Sequence, residues 1–152
     1  MLIYLDSYGY LRGLGVRIDT GIGILLTDGT KARAVSKNDV FTLSSIGEGF
    51  YIDSYGRRFY ETESSYTGNG AGNTSVSTWG DKVTRVGNCE LNYIGELVTR
   101  VGGTELHYYG DKLCRKGFYL SLHYRGDWLV QIGDDYLSYT GERVTKIGNK
   151  YL

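Results

Sequence analysis

GDKVTRVGNCELNYI (80–94), GELVTRVGGTELHYY (95–109), GDKLCRKGFYLSLHYR (110–125), GDWLVQIGDDYLSYT (126–140) and GERVTKIGNKYL (141–152) are one short sentence written five times. The period is 15 residues, with one copy of 16. Self-similarity at a fixed period marks an array of like supersecondary units. Each unit splits at its second glycine. Lys82–Val86 leads into Gly87-Asn88, and Cys89–Tyr93 leads into Ile94-Gly95-Glu96. Both runs are rich in Val, Thr, Leu and Tyr and both end in turn chemistry, so the unit reads as a β-hairpin. Five copies predict roughly ten strands of about five to six residues. The fold class expected is all-β, an antiparallel meander of tandem hairpins forming an extended, twisted or partly rolled sheet.

Parity constrains the turns. With Gly87-Asn88 as a two-residue type II′ turn, Val86 faces Cys89, Arg85 faces Glu90 and Thr84 faces Leu91. A second two-residue turn would make an odd period flip each repeat to the opposite face of the sheet. A three-residue loop at Ile94-Gly95-Glu96, with its glycine in a bulge, keeps the faces constant and sets Tyr93 opposite Leu97. One face then carries Thr84, Val86, Leu91 and Tyr93 and their equivalents. The other carries Val83, Arg85, Glu90 and Asn92, then Val98, Arg100, Glu105 and His107. Arg85–Glu90 and Arg100–Glu105 become cross-strand ion pairs, worth about 0.2–1 kcal/mol each.

The third copy breaks step. Phe118-Tyr-Leu-Ser-Leu-His-Tyr124 has one residue too many, and Arg115 loses its acidic partner; a bulge that bends the sheet is expected there. Cys89 and Cys114 fall about three strands, ~14 Å, apart, beyond the reach of a disulfide. Ten strands span ~48 Å, so the sheet should twist, curl or partly close. Its apolar face needs a cover, from the N-terminal half, another subunit or the sheet's own curvature.

Residues 1–66 read as strands broken by glycine: Leu2–Asp6, Tyr10–Arg12, Val16–Asp19, Ile22–Leu26, Lys31–Val35, Val40–Ile46, Phe50–Asp53 and Arg57–Thr62. Thr27-Asp28-Gly29-Thr30 is a hairpin signal. No window sustains a helical apolar period. Tyr4-Leu-Asp-Ser-Tyr-Gly9 is echoed by Tyr51-Ile-Asp-Ser-Tyr-Gly56, which suggests diverged relatives of the hairpin scheme. Residues 67–75, TGNGAGNTS, read as a flexible loop or linker. The expected organisation is an N-terminal β segment (1–66), that linker (67–75) and a five-copy repeat sheet (76–152).

The 17 basic and 17 acidic side chains cancel, which argues against nucleic acid or an anionic membrane as partner. There are 23 Gly, 15 Tyr and no Pro, a bias towards tight turns and pleated surface. No signal-type or transmembrane run is present, so the default compartment is the cytoplasm, with a surface-exposed assembly left open. Asn73-Thr74-Ser75 is a sequon only in a eukaryotic secretory setting.

Candidate chemistry is sparse. His107 and His123 share a column but lie two strands, roughly 9–10 Å, apart, too far to share a metal. Asp6, Ser7, Asp53 and Ser54 flank glycines and read as turn formers. The tip residues Asp81, Glu96, Asp111, Asp127 and Glu142 recur one per hairpin, where calcium would need several oxygens converging. No catalytic set, cofactor site or metal site is predicted. Tyr93, Tyr108, Tyr124 and Tyr139 repeat at hairpin spacing, with Trp79 and Trp128 beside them. They form either a ladder that packs under a cover or a strip that grips a protein or a carbohydrate.

Tyr93-Ile-Gly-Glu96, Tyr108-Tyr-Gly-Asp111 and Tyr139-Thr-Gly-Glu142 resemble the Tyr-Asp repeats of RHS-type bacterial proteins and, less closely, MORN repeats. The likeness covers the second half only; both families have longer repeats, and Ile94, Tyr109, Arg125 and Thr140 stand where Asp usually follows Tyr. It implies a non-catalytic scaffold, shell or docking module and transfers no functional residue. The expectation is therefore a structural or interaction protein that docks in an assembly or self-associates through its Tyr-rich apolar face and the open strand Lys150–Leu152. The alternative is a carbohydrate or cell-wall binding module using the tyrosine strip.

Overall fold

The computed structural model describes residues 1–19, 21–62 and 75–152. The linker expected at 67–75 lies outside the described residues except for Ser75, as does the sequon at Asn73 and Thr74. The chain is all-β, and its first part closes on itself. Strands β1 (Leu2–Leu5), β2 (Leu11–Asp19), β3 (Ile22–Leu25), β6 (Val40–Gly47), β7 (Phe50–Asp53) and β8 (Arg58–Glu61) form a closed antiparallel barrel, β8 returning to pair with β1. Between β3 and β6 the chain makes an excursion, a two-stranded hairpin of β4 (Thr27–Asp28) and β5 (Lys31–Ala32) followed by a short 3-10 turn at Lys37–Asp39. The hairpin foreseen at Thr27–Thr30 thus exists, with Gly29-Thr30 as its turn, but its second strand ends at Ala32 rather than Val35.

Glycines read as breaks are, in β2, strand residues. Tyr10–Arg12 and Val16–Asp19 belong to one nearly continuous run because Gly13 and Gly15 stay extended within it. A Cβ on Gly15 would collide with the carbonyl oxygen of Ile24 on β3, and one on Gly23 would lie 2.7 Å from the Phe41 ring. These glycines mark close backbone approach in a narrow barrel.

The repeats form one meander in sequence order. Strand β9 (Val76–Trp79) starts it, followed by β10 (Lys82–Val86), β11 (Cys89–Ile94), β12 (Leu97–Val101), β13 (Thr104–Tyr109), β14 (Lys112–Lys116), β15 (Leu120–Arg125), β16 (Trp128–Ile132), β17 (Asp135–Thr140), β18 (Arg143–Ile147) and β19 (Lys150–Tyr151). The Arg85–Glu90 and Val86–Cys89 pairings and the two-residue Gly87-Asn88 turn hold as expected.

The extra residue that parity demands is present, but in another place. Ile94 pairs with Leu97, so Gly95-Glu96 is a two-residue turn, and the surplus residue is a β-bulge at Thr99, between Val98 and Arg100. The same bulge recurs at Thr84, Cys114, Val130 and Thr145. Its effect is to turn both flanking apolar residues inward, so Val83 and Val98 are buried beside Val86 and Val101 rather than sharing the polar face with Arg85 and Arg100. The hydroxyls of Thr84, Thr99 and Thr145 donate across the bulge to the carbonyls of Ser77, Asn92 and Ser138, and the Cys114 thiol does the same to His107. The sixteenth residue of the third copy makes no further bulge: Lys116 pairs with Leu120, leaving the three-residue turn Gly117-Phe118-Tyr119.

The cover for the sheet is the barrel. Ile3, Leu14, Val16, Ile18, Ile22 and Ile24, on the barrel's outer wall, join Val83, Val98, Leu113, Leu129, Val144 and their neighbours in one shared core. Residues facing the other way, Leu2, Leu25, Phe41, Leu43 and Phe59, fill the barrel itself. Backbone bonds fix the two layers: Val83 donates to Val35 at 2.7 Å, Ala32 to Asp111 at 2.7 Å and Val144 to Gly9 at 2.8 Å.

Candidate interaction surface

The six aromatic residues singled out from the sequence divide into two sets. Tyr93, Tyr108, Tyr124 and Tyr139 are half-buried, pack against the shared core, and turn their hydroxyls inward. Tyr93 donates to the Val83 carbonyl at 2.7 Å, Tyr108 to Val98 at 2.7 Å, Tyr124 to Leu113 at 2.7 Å and Tyr139 to Leu129 at 2.5 Å. In each hairpin the ladder runs for only two residue pairs from the turn, and the tyrosine supplies the next hydrogen bond where the strands part. Burial pushes the Tyr108 and Tyr124 hydroxyls well above the ordinary tyrosine range and that of Tyr139 up to about 12. Neutral, bonded hydroxyls under a protein layer are structural pins. Trp79 lies on the open side, 78% exposed, whereas Trp128 lines a cleft with Tyr10, Leu11 and Arg12 and meets the edge of the Tyr139 ring at 4.8 Å.

The open side also carries residues that the sequence reading passed over. Ile94 and Tyr109, each one residue beyond a pinned tyrosine, are 76% and 86% exposed. With Trp79 they occupy one position in three successive hairpins, just before the Gly-Asp or Gly-Glu turn. Alternate strands put neighbours in this row about 10 Å apart. Strand alternation contained the signal, since if Tyr93 points to the core, Ile94 must point away. Behind the row lie the predicted ion pairs, Arg85–Glu90 and Arg100–Glu105, the latter at 2.8 Å.

Several of the remaining polar candidates have structural employment. The Asp6 carboxylate accepts from the Tyr8 and Tyr10 amides at 2.9 and 3.0 Å and from Arg12 at 2.8 Å. Asp53 repeats the arrangement with the Tyr55 and Arg57 amides at 3.0 and 2.8 Å and the Arg57 side chain at 2.6 Å, so the echoed Asp-Ser-Tyr-Gly segments are the same turn used twice. Among the acidic tips, Glu96 pairs with Lys82 at 3.0 Å and Asp127 with Lys112 at 2.9 Å, lacing adjacent hairpins. His107 faces Glu105 at 3.5 Å. Among the described residues no group of three or more His, Cys, Asp or Glu is placed to hold a metal, and Cys89 and Cys114 are free thiols. No helix of the described residues is long and apolar enough to cross a membrane.

The terminal strand β19 has two residues and pairs with Lys146 and Ile147 of β18, and the Leu152 amide beyond it donates to the Thr145 carbonyl at 3.0 Å. The rest of that edge is partly occupied from within the chain, by a Tyr10–Arg143 bridge and by the Gly9 carbonyl. Glu48 reaches Lys150 at 2.5 Å, and Thr62 bonds Asp135.

Compared with known proteins, the chain matches no family model, no curated protein and no solved structure.

Proposed function

We propose that this chain is a non-catalytic interaction module that presents the solvent-facing side of its hairpin sheet to a protein partner. The observation that carries this reading is the row Trp79, Ile94 and Tyr109, large apolar side chains left in solvent at one repeated position. Isolated exposed aromatics are ordinary, whereas an aligned row on a wide, rigid sheet has the composition of an interface core. The tyrosine-lined face and the strand edge considered from the sequence are largely engaged by the chain's own barrel, so they support docking less well than the outer face does.

The test is affinity capture from the source organism with the intact chain and with a Trp79→Ser/Tyr109→Ser variant. A partner retained by the first and lost by the second supports the reading. The same proteins recovered by both, or none by either, overturns it. Binding to a glycan is the second reading, favoured by the regular spacing of the row, which suits stacking against alternate sugars of an extended chain. Retention on polysaccharide that Trp79→Ser abolishes would support it, and no retention on any polysaccharide would remove it.

A further inference from the structure

The array contains its own controls, because like positions in the other hairpins show what the scaffold requires. On the outer face of the first two hairpins each arginine of the turn-proximal column is paired across the strand, Arg85 with Glu90 and Arg100 with Glu105. In the third hairpin Arg115 stands opposite Ser121, exposed and without a charged partner among the described residues. The nearest carboxylate on the adjoining strand, Glu105, is already engaged by Arg100 at 2.8 Å and faces His107 at 3.5 Å. At the position of the exposed row where Ile94 and Tyr109 stand, this hairpin carries Arg125, again exposed and unpartnered among the described residues. Its turn departs as well. The equivalent tips of the other hairpins offer Asn88, Gly103, Asp134 and Asn149, whereas here Phe118 and Tyr119 are 83% and 93% exposed, their rings 6.4 Å apart. From Lys112 to Arg125 there is no acidic residue.

The geometry points to a docking site on the third hairpin for an extended, acidic peptide segment of a partner protein. This rests on the reading of the outer face as an interaction surface and names the chemistry of what binds there. Unpaired arginines beside exposed aromatics are the composition of a binding hot spot, and neither departure helps the scaffold. The size of the basic patch selects among anions. It is one hairpin, about 10 Å, wide, bounded on its N-terminal side by self-neutralised Arg–Glu pairs. A nucleic acid carries a charge every ~1.7 Å of axis and needs a longer cationic track. An anionic membrane would meet polar tips along the rest of that edge. A peptide suits the dimensions. Arg125 lies four residues along β15 from Ser121, the partner of Arg115, a separation of about 13 Å. In an extended ligand, carboxylates at i and i+4 share a face and span that distance. An apolar side chain two residues before the first carboxylate would reach the Phe118–Tyr119 tip.

The experiment uses a dye-labelled heptapeptide, Phe-Ser-Glu-Ser-Thr-Ser-Glu, titrated by fluorescence anisotropy with the full chain. Saturable binding is expected, weakened at least tenfold by Arg115→Ser and by Phe118→Ser and unchanged by Arg85→Ser, whose arginine is already paired. Ser121→Glu is the decisive variant. It restores the cross-strand partner of Arg115, so it should weaken binding as strongly as Arg115→Ser while leaving the thermal midpoint no lower. The proposal is overturned by no saturable binding up to millimolar peptide, by equal loss in Arg85→Ser, or by equally tight binding of the peptide with Lys in place of Glu. Stronger binding of a ten-nucleotide oligothymidylate would overturn it in favour of nucleic acid. If the peptide fails while partner capture still depends on Trp79 and Tyr109, the acidic chemistry is wrong and the outer-face reading stands.

Discussion

In the barrel every strand has a neighbour on both sides, and the space they enclose is filled by Phe41 stacked on Phe59 at 4.7 Å with Leu2, Leu25 and Leu43 around them. The repeat sheet never closes, and it has no interior until the barrel's outer wall is laid against it. The two regions therefore place like chemistry differently. Arg57 and Asp53 pair at a mouth of the barrel, the carboxylate fully buried and the guanidinium lying over Tyr4 and Phe41. Arg100 and Glu105 pair in solvent. The barrel is made of unique fits, whereas the sheet is made of one tolerable fit repeated. A change of given size should thus cost more in the first than in the second.

The largest effect is expected at Gly15. Any Cβ there overlaps the Ile24 backbone, which has no flexible end to move aside. Gly15→Ala should cost about 3 kcal/mol or more. Because the core is shared, the sheet should melt with the barrel in one transition, seen as coincident loss of circular dichroism and of aromatic fluorescence. A sheet that keeps its signal after the barrel unfolds would break the shared-core picture. Next comes Asp53→Asn, which keeps the turn acceptor but removes the charge facing Arg57. About 3 kcal/mol is expected from denaturant melts, against less than 1 kcal/mol for Glu105→Gln. Equal costs would show that the barrel pair is effectively solvated.

The pinned tyrosines come third. Tyr124→Phe removes the donor to the Leu113 carbonyl and should cost about 1–2 kcal/mol with little change in shape. Their ionisation gives a second handle. For Tyr139 the folded value is raised to about 12 from an ordinary 10. The folded chain therefore holds its proton where the unfolded chain has released it, so stability is complete below pH 10 and declines as the pH climbs towards 12. Tyrosinate absorbance from this column should rise together with unfolding. If it titrates first, in the folded protein, the pins are not buried.

The sequence carried the hairpin unit, the meander order and the Arg–Glu pairs, because a 15-residue period displays every turn several times over. It misplaced the extra residue, because parity fixes how many residues must be absorbed and not where. A bulge at Thr99 and a three-residue loop at Gly95 satisfy the same arithmetic, and only the burial of Val98 distinguishes them. That slip hid the exposed row, since the reading placed the strip at Tyr93 and Tyr108 rather than one residue on. The barrel was illegible for the opposite reason. Gly13 and Gly15 have no repeats to compare with, so close-packing glycines looked like breaks. The echo of Asp6 and Asp53 survived because a turn is local chemistry, whereas closure of β8 onto β1 joins residues nearly sixty positions apart.

The smallest expected effect tests the modular side of the comparison most directly. If the outer face is a set of interchangeable pairs, an acid placed opposite Arg115 should behave as Glu90 and Glu105 do for their arginines. Ser121→Glu is then predicted to stabilise the chain by about 0.2–1 kcal/mol, a gain that added salt removes, because Arg115 is exposed and Ser121 is only half-buried. The three-residue turn that follows β14 could spoil this by changing how β14 and β15 face one another. Yet Arg115 and Ser121 remain direct partners in the ladder, as Arg100 and Glu105 are in theirs. A salt-sensitive gain would therefore mean that the third hairpin keeps the scaffold's geometry and that its missing acid is a property of its surface alone. A loss would mean that the Phe118–Tyr119 turn has altered the pairing itself.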